Sequence, residues 1–277
     1  GALNSSVRPA MKTSVNKIQN GFCPGRQLGQ DVIDLDTHAR KTAMLHQSFE
    51  ENSSTQMGTQ QVINMGRVNR LPVLPFFDFC AAFPSVAHEW LFLCLEAIQA
   101  PRGFINGVRR LYEDCKCFSN INGEYTYIFN IMAGILQGCP LSGTLFDICI
   151  DSLAICFEKC IDNAQLGITR LCADDVGMSL GQLSFLRTVK PIFDKFSLIS
   201  LLCLKAKKCK LVLTSRDCDP LIRGAIWTFL IKHLPGWEEF EVVGSAKYLG
   251  LFIGPTAQLK QWRASLFKWN ERAKDIA

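Results

Sequence analysis

The chain has 277 residues, of which 48% are hydrophobic and 20% charged, and its formal net charge is +5. This composition excludes disordered and collagen-like chains, which are poorer in apolar residues or much richer in glycine and proline. The longest stretch without a charged residue, 125–146, contains several polar residues and a proline, so we expect no membrane-spanning helix. Residues 1–20 lack the apolar centre of a signal peptide. The sequence therefore predicts an intracellular protein, nuclear or cytoplasmic, that does not bind a membrane.

Helices and strands alternate along the predicted chain. Apolar residues at helical spacing predict a helix over 31–49, and the polar stretch 50–61 predicts a loop between two halves. Residues 71–79 are apolar and aromatic, as in a buried strand, although Pro75 is unfavourable in a central strand. The same patterns predict further helices over 88–100, 141–160 and 185–202, and hairpins or strands over 120–130, 167–180, 204–213 and 241–253. This order is typical of an α+β fold.

The small net charge conceals an uneven distribution. Three segments, 1–30, 205–210 and 258–277, contain 13 basic and 2 acidic residues, which leaves 17 basic and 23 acidic residues elsewhere. An enzyme that binds a polyanion and holds metal ions with carboxylates needs such a division. Solvated faces of ordinary helices would give the same pattern, so charge alone does not decide between the two interpretations.

The 13 cysteines are spaced unlike a metal or disulfide framework, because the sequence contains no Cys-x-x-Cys pair. Several lie among apolar residues, where cysteine behaves as a small buried hydrophobe. We therefore expect reduced thiols that pack in the core, among them Cys80, Cys94, Cys149 and Cys203.

Three aspartates interrupt apolar stretches of the sequence. Asp78 lies in LPFFDFCAAF, and Asp174 and Asp175 lie in LCADDVGM. Buried carboxylates need a compensating cation, and carboxylates from two strands would form the oxygen-rich site that Mg²⁺ prefers. Because successive strand residues point to opposite faces, Asp174 and Asp175 can both approach one ion only where the turn breaks that alternation. The competing interpretation is a surface turn in which adjacent aspartates cap the main chain.

Segments around these aspartates resemble the motifs of reverse transcriptases, most like those of non-LTR retrotransposons. In the order typical of that family, the segments are QNGFCPGRQ (19–27), FFDFCAAFPSV (76–86), GILQGCPLSGTLF (134–146), CADD (172–175), LCLKAKKCKLV (202–212) and YLGLFIG (248–254). The resemblance implies an α+β right-hand polymerase palm, with an antiparallel sheet and helices. It also implies a division into partial fingers (1–72), palm (73–255, with a finger-side hairpin near 115–132) and the start of a truncated thumb (256–277).

The resemblance also implies residue roles. Asp78 and Asp174 match the aspartates that bind two Mg²⁺ ions, with Mn²⁺ as an alternative, and Asp175 matches a partner that contributes less to metal binding. Lys208 matches a lysine placed to donate a proton to the leaving pyrophosphate. Four residues match substrate-binding positions of the family. Phe83 matches the aromatic residue under the incoming sugar, and Gln137 and Gly138 match residues near the nucleotide and template. Arg26 matches an arginine at the template or triphosphate.

Each of these residues also has an ordinary structural interpretation. Phe83 would serve as a core aromatic, and Gln137 with Gly138 as a turn into a helix. Lys208 would be one of several lysines on a solvated edge, and Arg26 a surface arginine. The chain departs from the family at Cys172, where an aromatic residue is usual, and at Pro84 and Gly143, where aspartate and proline are common. None of these changes removes a metal ligand.

The implied activity is RNA-directed DNA synthesis, in which a primer 3′-hydroxyl attacks the α-phosphate of a dNTP. RNA template, DNA primer and dNTPs are the expected partners, and the oligomeric state is left open. The short fingers and thumb favour an alternative, a catalytically decayed retroelement fragment that only binds nucleic acid weakly. A related polymerase that copies another template, or that serves an intron or a telomere, would carry the same motifs.

Overall fold

The computed structural model describes residues 2–54, 65–261 and 263–274. Its α-helices, in chain order, are α1 (Ala2–Ser14), α2 (Leu28–Ser54), α3 (Met65–Asn69), α4 (Ala82–Ser85), α5 (His88–Ala97), α6 (Arg102–Tyr112), α7 (Ser142–Phe157), α8 (Leu186–Ser200), α9 (Pro220–His233), α10 (Gln258–Gln261) and α11 (Arg263–Lys274). A π-helical segment, Glu158–Asp162, prolongs α7, and two short 3₁₀ segments span Leu183–Phe185 and Ala206–Lys208.

The strands form one large sheet and two separate hairpins. They are β1 (Val73–Phe77), β2 (Lys116–Ile121), β3 (Glu124–Asn130), β4 (Gly167–Cys172), β5 (Asp175–Leu180), β6 (Lys210–Leu213), β7 (Glu241–Val243), β8 (Ala246–Tyr248) and β9 (Leu251–Ile253). The large sheet has the order β4-β5-β1-β6-β7 and is antiparallel except for the β6–β7 pair. β2 pairs with β3, and β8 pairs with β9. The predicted α+β class with an antiparallel sheet is confirmed.

Alternation along β1 separates two cores on the two faces of the sheet. Val73 and Phe77 point into the larger core, together with apolar residues of α5 to α9. Leu74 and Phe76 point to the other face, which α2 and the β8–β9 hairpin cover. Both faces of this strand are therefore buried, which explains its continuous apolar sequence.

The predicted strand over 71–79 is confirmed, and it occupies the centre of the sheet despite Pro75. β1 pairs with β6 through Pro75, whereas its pairing with β5 occurs at Val73, Phe76 and Phe77. The missing N–H of proline therefore falls where the β1–β5 ladder is already interrupted.

The predicted helices over 31–49, 88–100, 141–160 and 185–202 and the hairpins over 120–130 and 167–180 are confirmed, with shifted ends. The predicted loop over 50–61 was wrong at its start, because α2 continues to Ser54, and residues 55–61 lie outside the described residues. The single strand expected over 204–213 is confined to β6, and the strand expected over 241–253 divides into β7, β8 and β9.

The cysteines only partly follow the sequence expectation. All 13 are free thiols, as predicted. Cys94 and Cys149 are buried in the core, but Cys80 and Cys203 are exposed, so their apolar neighbours were misleading. These two residues flank an isolated bridge between Phe79 and Leu204 that lies beyond the end of β1, where the sheet no longer covers them. Within the described part of the chain, no helix is long and apolar enough to cross a membrane.

Candidate active site

The sheet register brings Asp78 to the β4–β5 hairpin. Phe77 pairs with Val176 in the antiparallel β1–β5 ladder, so the next step of that register places Asp78 opposite Asp175. Asp78 and Asp175 both line a cavity of about 330 Å³ beneath the β8–β9 hairpin. Two of the three predicted carboxylates therefore share one cavity.

A tight turn separates Asp174 from Asp175. The last ladder pair of the hairpin joins Cys172 to Asp175, which leaves Ala173 and Asp174 as the two residues of the turn. Ala173 has a φ of 54°, the left-handed conformation found in two-residue hairpins. Asp174 is half-buried and lies outside the cavity wall, whereas Asp175 is exposed within it. The turn therefore separates the two aspartates, with Asp175 in the cavity wall and Asp174 in the turn beside it.

Burial and mutual repulsion act on these carboxylates. Burial raises the pKa of Asp174, and the negative charge of Asp78 raises it further. Burial also raises the pKa of Asp175, with added repulsion from Asp174 and then from Asp78. The charge of Asp78 therefore acts on both hairpin carboxylates, and a cation between them would relieve that repulsion.

Lys208 supplies a positive charge at the same place. It ends the 3₁₀ segment before β6, and its Nζ lies 3.7 Å from Oδ1 of Asp78. The main chain fixes this arrangement, because the N–H of Lys205 donates to the carbonyl of Asp78 at 2.8 Å, and the N–H of Asp78 donates to Sγ of Cys209 at 3.4 Å. The structure thus joins the predicted lysine to the first predicted aspartate.

The donor set suits a hard divalent cation. The available groups are carboxylate oxygens, which Mg²⁺ prefers over nitrogen or sulfur ligands. Among the described residues, no group of three or more His, Cys, Asp or Glu side chains is assembled to hold a metal ion. Mg²⁺ is commonly held by one or two carboxylates, with phosphate oxygens and water completing its shell. The residues therefore fit a Mg²⁺ site that a phosphate-bearing substrate completes.

A second cavity, of about 500 Å³, contains three of the four predicted substrate-binding residues. Phe83, Gln137 and Gly138 line it, together with Phe22 and the first turn of α7. Phe83 is half-buried and stacks on the buried ring of Phe146, with centroids 4.3 Å apart. Gly138 has a φ of 83°, which favours glycine. One face of the Phe83 ring is therefore fixed by the core while the side chain borders the cavity.

Arg26 lies elsewhere. Its guanidinium donates to the main-chain carbonyls of Lys12, Val15, Asn16 and Gln19, and so caps the end of α1. It lines neither of the two cavities described above. The structure thus brings Asp78, Asp175 and Lys208 to one cavity, with Asp174 in the adjoining turn. It brings Phe83, Gln137 and Gly138 to the other cavity, and it places Arg26 at neither.

Sequence reasoning missed residues at both cavities. Phe22 lies in the wall of the larger cavity, and its position inside QNGFCPGRQ was the available signal. Lys247 and Tyr248 line the smaller cavity beside Asp78 and Asp175. Tyr248 belongs to the YLGLFIG segment, but Lys247 is an isolated lysine outside the three basic segments, so nothing in the sequence marked it.

Comparison with known proteins gives a family and a set of relatives. The sequence model described as "Reverse transcriptase (RNA-dependent DNA polymerase)" matches residues 15–253. A 78-residue stretch is 31% identical to the uncharacterized 149 kDa protein of transposon TX1 from Xenopus laevis, covering 28% of this chain and 6% of that protein. A 76-residue stretch is 36% identical to the retrovirus-related Pol polyprotein of type-2 retrotransposable element R2DM from Drosophila melanogaster, covering 27% of this chain and 7% of the polyprotein.

The fold is similar to that of a solved polymerase. Apo telomerase from Candida tropicalis, truncated from its C-terminal domain, superposes with a TM-score of 0.54 at 13% identity, covering 91% of this chain and 42% of the telomerase chain. The expected polymerase palm fold is thereby confirmed. The chain spans less than a tenth of the length of the curated relatives that it matches and less than half of that telomerase chain.

Proposed function

The chain belongs to the reverse transcriptase family, and on that premise we propose that it is the RNA-directed DNA polymerase domain of a retroelement. In this proposal it joins dNTPs to a primer 3′-hydroxyl under the direction of an RNA template. The observation that carries the proposal is the β1–β5 register, which sets Asp78 opposite the hairpin that bears Asp174 and Asp175. A two-metal phosphoryl-transfer site needs ligands that converge on one place, and here the carboxylates would come from β1 and from the β4–β5 hairpin.

Asp78 and Asp174 are the proposed metal ligands, and Asp175 is proposed to contribute less to metal binding. When bound, two Mg²⁺ ions would stabilise the attacking and leaving oxygens of the displacement. The raised pKa of Asp174 and of Asp175 supports this role, because burial and then the neighbouring negative charges disfavour ionisation, and a bound cation would offset both effects. Ionisation of these groups would then be coupled to cation binding.

Lys208 is the proposed proton donor to the leaving pyrophosphate. Its ion pair with Asp78 places the exposed ammonium beside the carboxylates. An ammonium at this place would also offset negative charge that develops on the leaving group. Both effects require Nζ to be protonated when the nucleotide binds.

The larger cavity is the proposed site of the incoming nucleotide. Phe83 would pack under its sugar, while Gln137 and Gly138 would contact the nucleotide and the template strand. Arg26 is proposed to contribute by fixing the segment that carries Phe22, since its guanidinium is bonded to main-chain carbonyls. A direct contact of Arg26 with template or triphosphate would require those bonds to be exchanged.

The nucleic acid is proposed to be an RNA–DNA hybrid gripped mainly through its phosphates. Lys208, Lys210, Lys247 and Lys260 all line the cavity beside Asp78, which supports a polyanionic partner. In the proposed division, residues 1–72 are partial fingers, 73–255 are palm and 256–277 begin the thumb. The hairpin formed by β2 and β3 is assigned to the finger side.

The test is primer extension on an RNA template with Mg²⁺ and dNTPs. We expect extension by the wild-type chain and its loss in Asp78→Asn and in Asp174→Asn. Asp194→Asn is the matched control, because Asp194 is an exposed aspartate on α8 that pairs with Lys190. Extension that survives both active-site substitutions would exclude the assignment. Salt-dependent hybrid binding without any extension would instead support the decayed, binding-only fragment.

A further inference from the structure

The turn that carries Asp174 leaves one peptide unit in need of partners. Ala173 is only 6% exposed, and it follows the last ladder pair, between Cys172 and Asp175. Ala173 is not part of the paired ladder, so neither its N–H nor its C=O has a partner there. Buried main-chain groups without partners are strongly unfavourable, so something outside the hairpin must satisfy them.

Gln19 satisfies both groups with one side chain. Its Oε1 accepts from the N–H of Ala173 at 2.9 Å, and its Nε2 donates to the carbonyl of Ala173 at 3.3 Å. The same Oε1 accepts from the N–H of Gly21 at 2.8 Å. Gln19 is fully buried, so water does not compete for these bonds. The Gln19 amide therefore gives the main chain of Ala173, the residue before Asp174, the two hydrogen bonds that a neighbouring strand would otherwise provide.

The main chain around Gln19 is built to hold that amide in place. The N–H of Leu171 donates to the carbonyl of Ile18 at 2.8 Å, and the N–H of Asn20 donates to the carbonyl of Leu171 at 2.7 Å. Gly21 lies so close to the turn that a Cβ there would approach the nitrogen of Ala173 to 2.2 Å. Only glycine permits this approach, and residues 18–21 therefore pack directly against β4 and its turn.

We infer that Gln19 is a positioning residue that holds the Ala173 peptide so that the Asp174 carboxylate stays beside Asp78. The inference rests on the proposed function, since it concerns the same carboxylates. Asp175 is held by the hairpin itself, because it pairs with Cys172 in the β4–β5 ladder. Asp174 lies in the turn itself, where the amide of Gln19 binds the preceding residue.

The effect to measure is cation binding. Removing a group that orients a metal ligand typically weakens metal affinity by about 10- to 100-fold. In Gln19→Met, a side chain of similar length fills the space but makes neither bond to Ala173. We expect Mn²⁺ affinity, followed by the electron paramagnetic resonance of free Mn²⁺, to fall within that range.

Two comparisons separate positioning from general destabilisation. Gln47→Met is the matched control, because Nε2 of Gln47 donates to the carbonyl of Ser215 at 3.0 Å, a bond to the main chain away from the carboxylates. It should leave Mn²⁺ binding unchanged. Gln19→Glu keeps an oxygen that accepts from Ala173 and Gly21 but loses the donor, so its affinity should be intermediate. If Gln19→Met fails to fold by circular dichroism, Gln19→Glu carries the comparison.

Hydrogen exchange of the turn supplies a second readout that needs no metal. The amide of Ala173 should exchange faster in Gln19→Met than in the wild type, and at the wild-type rate in Gln47→Met. Faster exchange with unchanged Mn²⁺ affinity would overturn the inference, because Gln19 would then be structural only. Unchanged exchange would overturn it as well. A wild-type chain whose Mn²⁺ binding does not depend on Asp174 would instead overturn the proposed metal site itself.

Discussion

The ring of Phe22 packs directly on the main chain of Gly143. A Cβ at Gly143 would lie 2.6 Å from Cδ1 of Phe22, far inside van der Waals contact. Phe22 also meets the edge of Phe83, with ring centroids 6.2 Å apart, and all three residues line the larger cavity. The glycine that replaces the proline common in this family therefore leaves the space that the Phe22 ring occupies.

The first prediction is that Gly143 and Phe22 are energetically coupled. Gly143→Ala should displace the ring and lower the free energy of unfolding by about 1–3 kcal/mol, as overpacking does. In a Phe22→Ala background the same substitution should be neutral or stabilising. Gly224→Ala on α9 is the control, because a Cβ there meets nothing within 4 Å, and it should raise stability by about 0.5–1 kcal/mol. Urea denaturation of the wild type, the two single variants, the double variant and the Gly224→Ala control checks this prediction. Additive effects of Gly143→Ala and Phe22→Ala would contradict it.

The second prediction distinguishes Lys208 from its neighbour Lys207. Both are exposed and both form ion pairs, Lys208 with Asp78 at 3.7 Å and Lys207 with Glu239 at 3.4 Å. Exposed pairs contribute at most about 1 kcal/mol, so neither methionine substitution should unfold the chain. Lys208→Met should slow single-nucleotide addition by about 100-fold, the range of a lost proton donor, while Lys207→Met should not. Equal rates for the two variants would remove Lys208 from the mechanism.

The sequence could predict elements whose signals are local. β1 and the 167–180 hairpin carry apolar runs bounded by turns, and both formed where expected. α6 was missed because Gly103 and Gly107 lower its helix propensity. α9 was missed because apolar residues lie on all sides of the helix rather than on one face. Asp219 and Pro220 are nevertheless a recognisable helix N-terminus, since Oδ1 of Asp219 accepts from the N–H of the third helical residue at 2.8 Å.

The sequence predicts candidate residues for the site but not their arrangement in space. The motifs nominate Asp78, Asp174 and Lys208, yet the proximity of these residues depends on ladders between segments about 100 to 140 residues apart in the sequence. The hydrogen bonds between Gln19 and Ala173 join residues that are 154 positions apart in the sequence. No local sequence pattern indicates which buried peptide group a glutamine side chain will bind. For Arg26, the motif suggested a contact with template or triphosphate, but in the structure its guanidinium donates to main-chain carbonyls at the end of α1.

The third prediction is that ionisation of the Asp174 carboxylate lowers the free energy of unfolding when no cation is bound. Because burial and repulsion raise the pKa of Asp174, the folded chain holds its proton to higher pH than the unfolded chain does. Stability is therefore lost as pH rises from the unfolded pKa through the folded one. At pH 7 without divalent cations, Asp174→Asn should be more stable than the wild type by about 0.5–2 kcal/mol. Added Mg²⁺ should narrow the difference by stabilising only the wild type. Lower stability in Asp174→Asn, measured by thermal unfolding in chelator, would contradict this.

The fourth prediction is a pH dependence that originates at Asp147, a buried residue of α7. Asp147 is fully buried on α7, and burial raises its pKa to about 8 although Sγ of Cys23 lies 3.7 Å from its Oδ2. The folded chain therefore keeps this proton from about pH 4 to pH 8, while the unfolded chain releases it near pH 4. Asparagine has the same shape and no proton to lose, so the stability of Asp147→Asn relative to the wild type should rise across that interval and level off above pH 8.

Urea denaturation at pH 5 to 9 measures the difference, with the exposed Asp194→Asn as a control that should show no such rise. A difference that stays constant with pH would mean that Asp147 is already ionised in the folded chain.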